Sequence, residues 1–271
     1  MVPRVRLESR LDVDGLVGGV AELNNKIYVV CYKSSSVRVF SADPPNNRLE
    51  DIKVEGLRDP LDLIADSLTQ QLYVADRKSR CVWRIAVVDN TATQFITDVN
   101  PSSLSVTSGR LLVTSSSELQ LYAADGVPLQ QVQLPRYIVA RHAVETSRGT
   151  YIVCHSDLAK HHGVSEVDGV GRAVRVYYDG PPGPGPLQLN DPYRVTQFAA
   201  GRHLLIADRG NNRVLSLTAD LKLDRVLLTE DHDGLNICSL RNMQMSLSFN
   251  EKTQRLCVWN SWFYVTVYRL E

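Results

Sequence analysis

Leu72-Tyr73-Val74-Ala75-Asp76-Arg77-Lys78-Ser79-Arg80-Cys81-Val82-Trp83-Arg84-Ile85 returns later in the chain as Leu204-Leu205-Ile206-Ala207-Asp208-Arg209-Gly210-Asn211-Asn212-Arg213-Val214-Leu215-Ser216-Leu217. Each run is an apolar strand, a polar turn and an alternating strand. Weaker copies begin at Ile27, Leu111, Thr150 and Leu256. Self-similarity at a spacing of tens of residues marks a repeat architecture, in which units bury their apolar faces against their neighbours. Aligned on the second residue of each central strand, the copies fall at Tyr28, Tyr73, Leu112, Tyr151, Leu205 and Cys257, with gaps of 45, 39, 39, 54 and 52 residues. That spacing suits a four-stranded blade, and six copies predict an all-β, six-bladed β-propeller. The two longest gaps mark blades with insertions.

One blade is readable in full. Leu61 to Ala65 is its inner strand, followed by Leu72 to Ala75, Cys81 to Ile85 and Gln94 to Val99. The first two are near-continuous apolar runs, as strands buried on both faces require. Ser108-Gly109, Asp125-Gly126 and Asp179-Gly180 mark hairpins in other blades. The last copy offers only three strands, Met243 to Phe249, Leu256 to Trp259 and Tyr264 to Leu270. Its fourth is expected from Val5-Arg6-Leu7-Glu8-Ser9 at the other end of the chain, because a terminal strand that completes the last blade removes open sheet edges. Residues 1–271 thus read as one propeller domain.

These motifs resemble the NHL-repeat family of six-bladed propellers, as in the C-terminal domain of TRIM-NHL proteins. The resemblance is strongest over Leu72 to Ile85 and Leu204 to Leu217, fair over Tyr28 to Phe40, and poor in the third, fourth and sixth copies. It implies an interaction platform, often C-terminal to a ubiquitin-ligase RING and coiled coil. In that family the loop-rich face takes protein partners or single-stranded RNA. A chain ending at Tyr268-Arg269-Leu270-Glu271, directly after its last strand, is expected to be such a C-terminal domain.

Lys+Arg and Asp+Glu number 30 each, so no global field draws the chain to nucleic acid or membrane. No apolar run approaches the ~20 residues needed to span a bilayer, and Met-Val-Pro-Arg-Val-Arg-Leu-Glu carries no signal-peptide core. Cys31, Cys81, Cys154, Cys238 and Cys257 are odd in number, widely spaced and free of any CxxC pattern. Reduced, buried thiols and a cytoplasmic location are expected.

In an up-and-down blade the second-to-third-strand hairpins and the blade-to-blade crossovers share one rim. That face is the candidate binding surface, because functional loops ride on rigid scaffolds. The hairpins place Lys33, Arg77, Lys78, Arg80, Arg209 and Arg213 there, and the crossovers add Arg58, Arg136, Arg141, Arg194 and Arg241. Arg141-His142, Tyr193-Arg194 and Arg241-Asn242 begin inner strands and so ring the channel mouth. Arginine and tyrosine there would grip a phosphate, a carboxylate or a stacked base. The competing reading is that each arginine pairs with a crossover carboxylate.

Asp76 and Asp208 end second strands, where a short carboxylate accepts turn N–H groups. The other copies put Cys31, Ser115, Cys154 and Asn260 at that column, so it holds no ring of metal-binding carboxylates. Trp262 and Phe263 fall in a loop of the candidate face, as a partner anchor or as packing against the N-terminal strand. Residues 155–172, with His155, His161 and His162, read as a solvated insertion within a hairpin. Gly180-Pro181-Pro182-Gly183-Pro184-Gly185-Pro186 reads as a stiff turn or linker without chemistry.

Other six-bladed frames carry enzymes: peptide-amidating lyases with His-bound zinc, and calcium-dependent lactonases. Those need His or acidic residues converging at the channel mouth. This sequence offers His142 and no evident partners, so binding is preferred over catalysis and no cofactor or metal is expected. A protein partner is preferred over single-stranded RNA, no membrane contact is expected, and the domain itself is read as monomeric.

Overall fold

The computed structural model describes residues 4–157, 161–229, 245–260 and 264–271. Six four-stranded antiparallel sheets form a six-bladed β-propeller. The inner strands, in blade order, are Val17–Leu23, Pro60–Asp66, Ser103–Thr107, Ala140–Glu145, Pro192–Phe198 and Met245–Asn250. Each contacts the next, and the last contacts the first, so the ring is closed. The fully read blade comprises Pro60–Asp66, Gln71–Asp76, Cys81–Ala86 and Ala92–Thr97, within two residues of expectation at each end. No helix among the described residues is long and apolar enough to cross a membrane.

The core lies between blades. Val30 and Val37 of the first blade pack with Leu63, Val74 and Trp83 of the second. Leu205 and Val214 of the fifth pack with Leu247, Val258 and Tyr268 of the sixth. Second strands such as Leu72–Asp76 and Leu204–Asp208 are buried throughout, which is why they read as unbroken apolar runs. The repeat is therefore a packing requirement: each sheet is sandwiched between two others.

Val5–Asp12 pairs antiparallel with Tyr264–Leu270, from Val5 opposite Leu270 to Asp12 opposite Tyr264. The N-terminal strand thus completes the sixth blade. Arg255 ties this seam to the first blade. Its guanidinium reaches Glu8 on the N-terminal strand at 2.8 Å, Glu22 on the first inner strand at 3.1 Å and Asp43 in an outer turn at 2.9 Å. Arg269 adds a second pair to Glu8 at 2.8 Å, and Thr253 donates to Glu22 at 2.8 Å.

The 155–172 stretch is not an insertion. Tyr151–Ser156 and His162–Val167 are adjacent buried strands, with Ser156 opposite His162. Polar residues can occupy such a strand when each finds a partner. His155 Nε2 lies 2.9 Å from Ser165 Oγ. Gly163, opposite His155, leaves the space, since a Cβ there would strike the imidazole. The added length of this blade falls instead in the long outer strand Ala173–Gly180 and in the crossover that follows.

Replacing Arg255 by methionine should strand the buried Glu22 carboxylate and cost about 3–5 kcal/mol. Urea unfolding of R255M against the parent measures it. Arg6→Met, which removes an exposed pair with Glu271, should change stability by less than about 0.5 kcal/mol.

Candidate functional site

Four inner strands are irregular at the same place: between Val17 and Gly19, Pro60 and Asp62, Ala140 and His142, and Pro192 and Arg194. A bulge re-aims the side chain that follows it. The residues after the bulges are Gly19, Asp62, His142 and Arg194, and the last three are buried. Gly19 has no side chain to aim, and a Cβ there would collide with Leu63 N and Asp62 of the second blade. Arg194 of the fifth blade and Asp62 of the second, on opposite sides of the ring, meet at 2.5 Å. Asp62 also accepts the Leu63 and Leu104 N–H groups, each at 2.8 Å. His142 Nε2 lies 3.0 Å from Leu104 O. A carbonyl only accepts, so Nε2 carries the proton and Nδ1 the lone pair. That Nδ1 is buried and has no partner. Burial, then the Arg194 charge, holds His142 well below the ordinary histidine range.

Toward the crossover face the channel mouth is lined by the bulged residues Arg141 and Tyr193. Arg141 Nε donates to Ser156 Oγ at 2.8 Å, and that hydroxyl donates to Asp191 Oδ1 at 2.6 Å. Arg209 pairs with the other oxygen of Asp191 and stacks over Tyr193, 5.0 Å from the ring centroid. One carboxylate therefore serves two guanidiniums. Burial, then the charge of Arg141, pushes Arg209 down to about 10. The Asp191 N–H donates to His162 Nδ1 at 2.6 Å, which requires that nitrogen unprotonated.

The remaining candidates divide by role. Arg213 is structural: it donates to Asp208 at 2.7 Å and to the carbonyls of Gly185 and Gln188. The proline-rich run is thus the crossover between the fourth and fifth blades, held by Arg213, and not a linker. Arg77 pairs with Asp59 at 3.2 Å. Arg80, in the left-handed region at φ 52°, is exposed. Arg241, Asn242, Trp262 and Phe263 lie outside the described residues.

The repeated aspartates hold turns, as the sequence implies. Asp76 accepts the N–H groups of Arg58, Asp59 and Ser79 and the Trp83 indole N–H. Burial would raise Asp76, but the Ser79 hydroxyl and these amides bring it below the usual carboxylate range. Registered on the bulge, the fourth blade's residue in this column is His155, opposite Ala140, and not Cys154. Counting from the start of the second strand does not reveal this, because Tyr73 lies three residues before Asp76 whereas Tyr151 lies four before His155. Asp62 was also missed, although it is the one charge in the apolar run Leu61 to Ala65.

Beyond Arg194 and His142, the channel widens into a cavity of about 450 Å³ that opens at the opposite face, among first-to-second-strand hairpins. Ser105, Thr196 and Ser248 line its wall with Ile64, Val106 and Phe249, and Glu22, Glu251 and Lys252 stand at its hairpin end. Nothing in the sequence periodicity distinguishes the two ends of the channel.

No protein-family model matches the chain, and no curated protein matches it in sequence. Solved structures do match. Streptogramin B lyase aligns over 97% of this chain and 97% of its own, at 12% identity and a TM-score of 0.65. Hydrazine synthase of Kuenenia stuttgartiensis aligns over 92% of this chain and 74% of its own, at 13% identity and 0.62. A protein of unknown function from Bacteroides caccae covers 93% and 82%, at 13% and 0.62. At these identities the likeness is one of fold.

His155 is held neutral by burial, with its pKa pushed down to about 4. Between about pH 6.5 and 4 the unfolded chain binds a proton there that the folded chain does not, so stability falls on acidification by up to about 1.4 kcal/mol per unit. His155→Gln should flatten that dependence in urea unfolding between pH 6.5 and 4.5 by about one proton. An unchanged slope would mean that His155 is already protonated in the fold.

Proposed function

We propose that the chain is a non-catalytic interaction platform of the kind the NHL resemblance implies, taking a protein partner on its crossover face. The observation that carries this reading is a set of exposed cations there that no carboxylate holds, interspersed with the exposed carboxylates Asp14, Glu55 and Asp98. Arg141 and Arg209 share Asp191. Arg58, Lys78 and Arg80 of the second blade are exposed, and none pairs with a carboxylate among the described residues. Leu16 and Tyr137, both 42% exposed, stand in crossovers of the same face. Unpaired arginines on the same face as an exposed tyrosine and leucine suit an acidic partner segment with an apolar anchor. The described cysteines are free and buried, which fits the reducing cytoplasm in which a ubiquitin ligase would present such a face to its substrates.

Similar propellers include a lyase and a synthase by name, so fold alone does not choose between binding and catalysis. The preference for binding rests on the donor set. A metal-dependent lyase or lactonase would need converging ligands, and among the described residues no three His, Cys, Asp or Glu are grouped to hold an ion. Single-stranded RNA on the same face is a second reading, favoured by the Arg209–Tyr193 stack in the fifth blade, across the ring from the exposed cations of the second.

Selection of the whole chain against a random peptide library and a random single-stranded RNA pool, both at physiological salt, separates the two. Acidic peptides should be enriched, and the double variant Arg58→Glu, Arg80→Glu should weaken them at least about tenfold through charge repulsion. A defined RNA motif that survives at this salt would establish the second reading instead. Enrichment of neither would sink both.

A further inference from the structure

We infer that the cavity at the hairpin end of the channel is a binding site for an uncharged, hydroxyl-bearing small molecule of the sugar or polyol class. This site lies on the face opposite the proposed partner surface and does not depend on that reading.

His142 stands at the floor of this cavity. Its imidazole is 2% exposed, its Nε2 proton is committed to Leu104 O, and its Nδ1 lone pair has no partner. A buried acceptor without a donor costs free energy, and native folds tolerate few of them. Here the side chain is directed by a bulge in Ala140–Glu145 and lines a cavity of about 450 Å³. That volume is in the range of about 300–1,000 Å³ typical of ligand sites. A second lining side chain, Ser105, also has a buried oxygen with no partner.

The charges at the floor select the ligand. Arg194 lines the cavity whereas its partner Asp62 does not, so the floor near His142 meets the positive end of the buried pair, while Glu22, already held by Arg255 and Thr253, lines the hairpin end with Glu251 and Lys252. That end disfavours a cationic donor such as an amine. The lone pair on Nδ1 disfavours a carboxylate or phosphate placed against it. A neutral O–H donor satisfies Nδ1 without opposing either charge. The walls agree: Ser105, Thr196 and Ser248 line the cavity together with the partly exposed apolar side chains of Ile64, Val106 and Phe249. Such a surface suits a molecule that carries both hydroxyls and C–H faces.

The test uses the full chain labelled with ¹⁵N, and long-range ¹H–¹⁵N correlation of the histidine rings. The probes are myo-inositol, D-glucose, D-galactose and N-acetyl-D-glucosamine, each titrated at pH 7. At least one should move the His142 Nδ1 resonance saturably and leave exposed His161 unmoved. His142→Phe removes the acceptor and should weaken saturation-transfer signals from that probe about tenfold. Thr196→Tyr, which fills the cavity from its wall and keeps His142, should abolish them and guards against a folding defect in the first variant. If no probe moves His142, or if binding survives both variants, the proposal is overturned. Crystals soaked in the same probes and showing only water against Nδ1 would overturn it equally.

Discussion

The ion pair between Asp62 and Arg194 is the constraint around which this propeller is arranged. It joins the second and fifth blades across the axis of the ring, and the amides of Leu63 and Leu104 complete its hydrogen bonding. A buried pair of this kind contributes little net stability against an apolar substitute, but losing one partner leaves a charge that the interior cannot solvate. Its effect is chiefly geometric. It fixes the separation of opposing blades and divides the channel into two unlike compartments. One, toward the crossovers, is cationic and half-open. The other, toward the hairpins, carries Arg194 at its floor, hydroxyl and aliphatic groups on its walls, and Glu22, Glu251 and Lys252 at its hairpin end.

The repeated signature does different work from the residues that distinguish the blades. Asp76 and Asp208 recur because a four-residue turn leaves amides that need an acceptor, and the same carboxylate meets Trp83 in one blade and Arg213 in another. Such residues announce the fold and are silent about ligand. The residues after the bulges differ in each of the four blades that carry one, as glycine, aspartate, histidine and arginine. Function on a repeat scaffold resides where the repeat is broken.

That division explains what could be read from the chain. The blade count, the strand limits of the second blade and the closure by Val5–Asp12 follow from apolar periodicity, because sheets packed on both faces impose it. The histidines between 155 and 162 were read as a loop because polar side chains were equated with solvent. Pairing across one strand register, with Gly163 making room for His155, reverses that reading. Arg194 and His142 were expected at the mouth, whereas a single bulge turns each inward. A bulge depends on how two strands register, and that lies beyond any one segment's composition. Asp62 alone left a visible mark, as a charge inside an aliphatic run.

The two ends of the described chain meet: the Arg4 N–H donates to Glu271 O and the Glu271 N–H donates to Arg4 O. Tension applied through these ends would load the ladder that starts at Val5 and Leu270 one rung after another, as a zipper, and not all rungs together in shear. The sixth blade would open first, at low force, while five blades kept their rims. Closing the ring by pairing Val5–Asp12 with Tyr264–Leu270 thus gives the propeller a built-in place to come apart under traction.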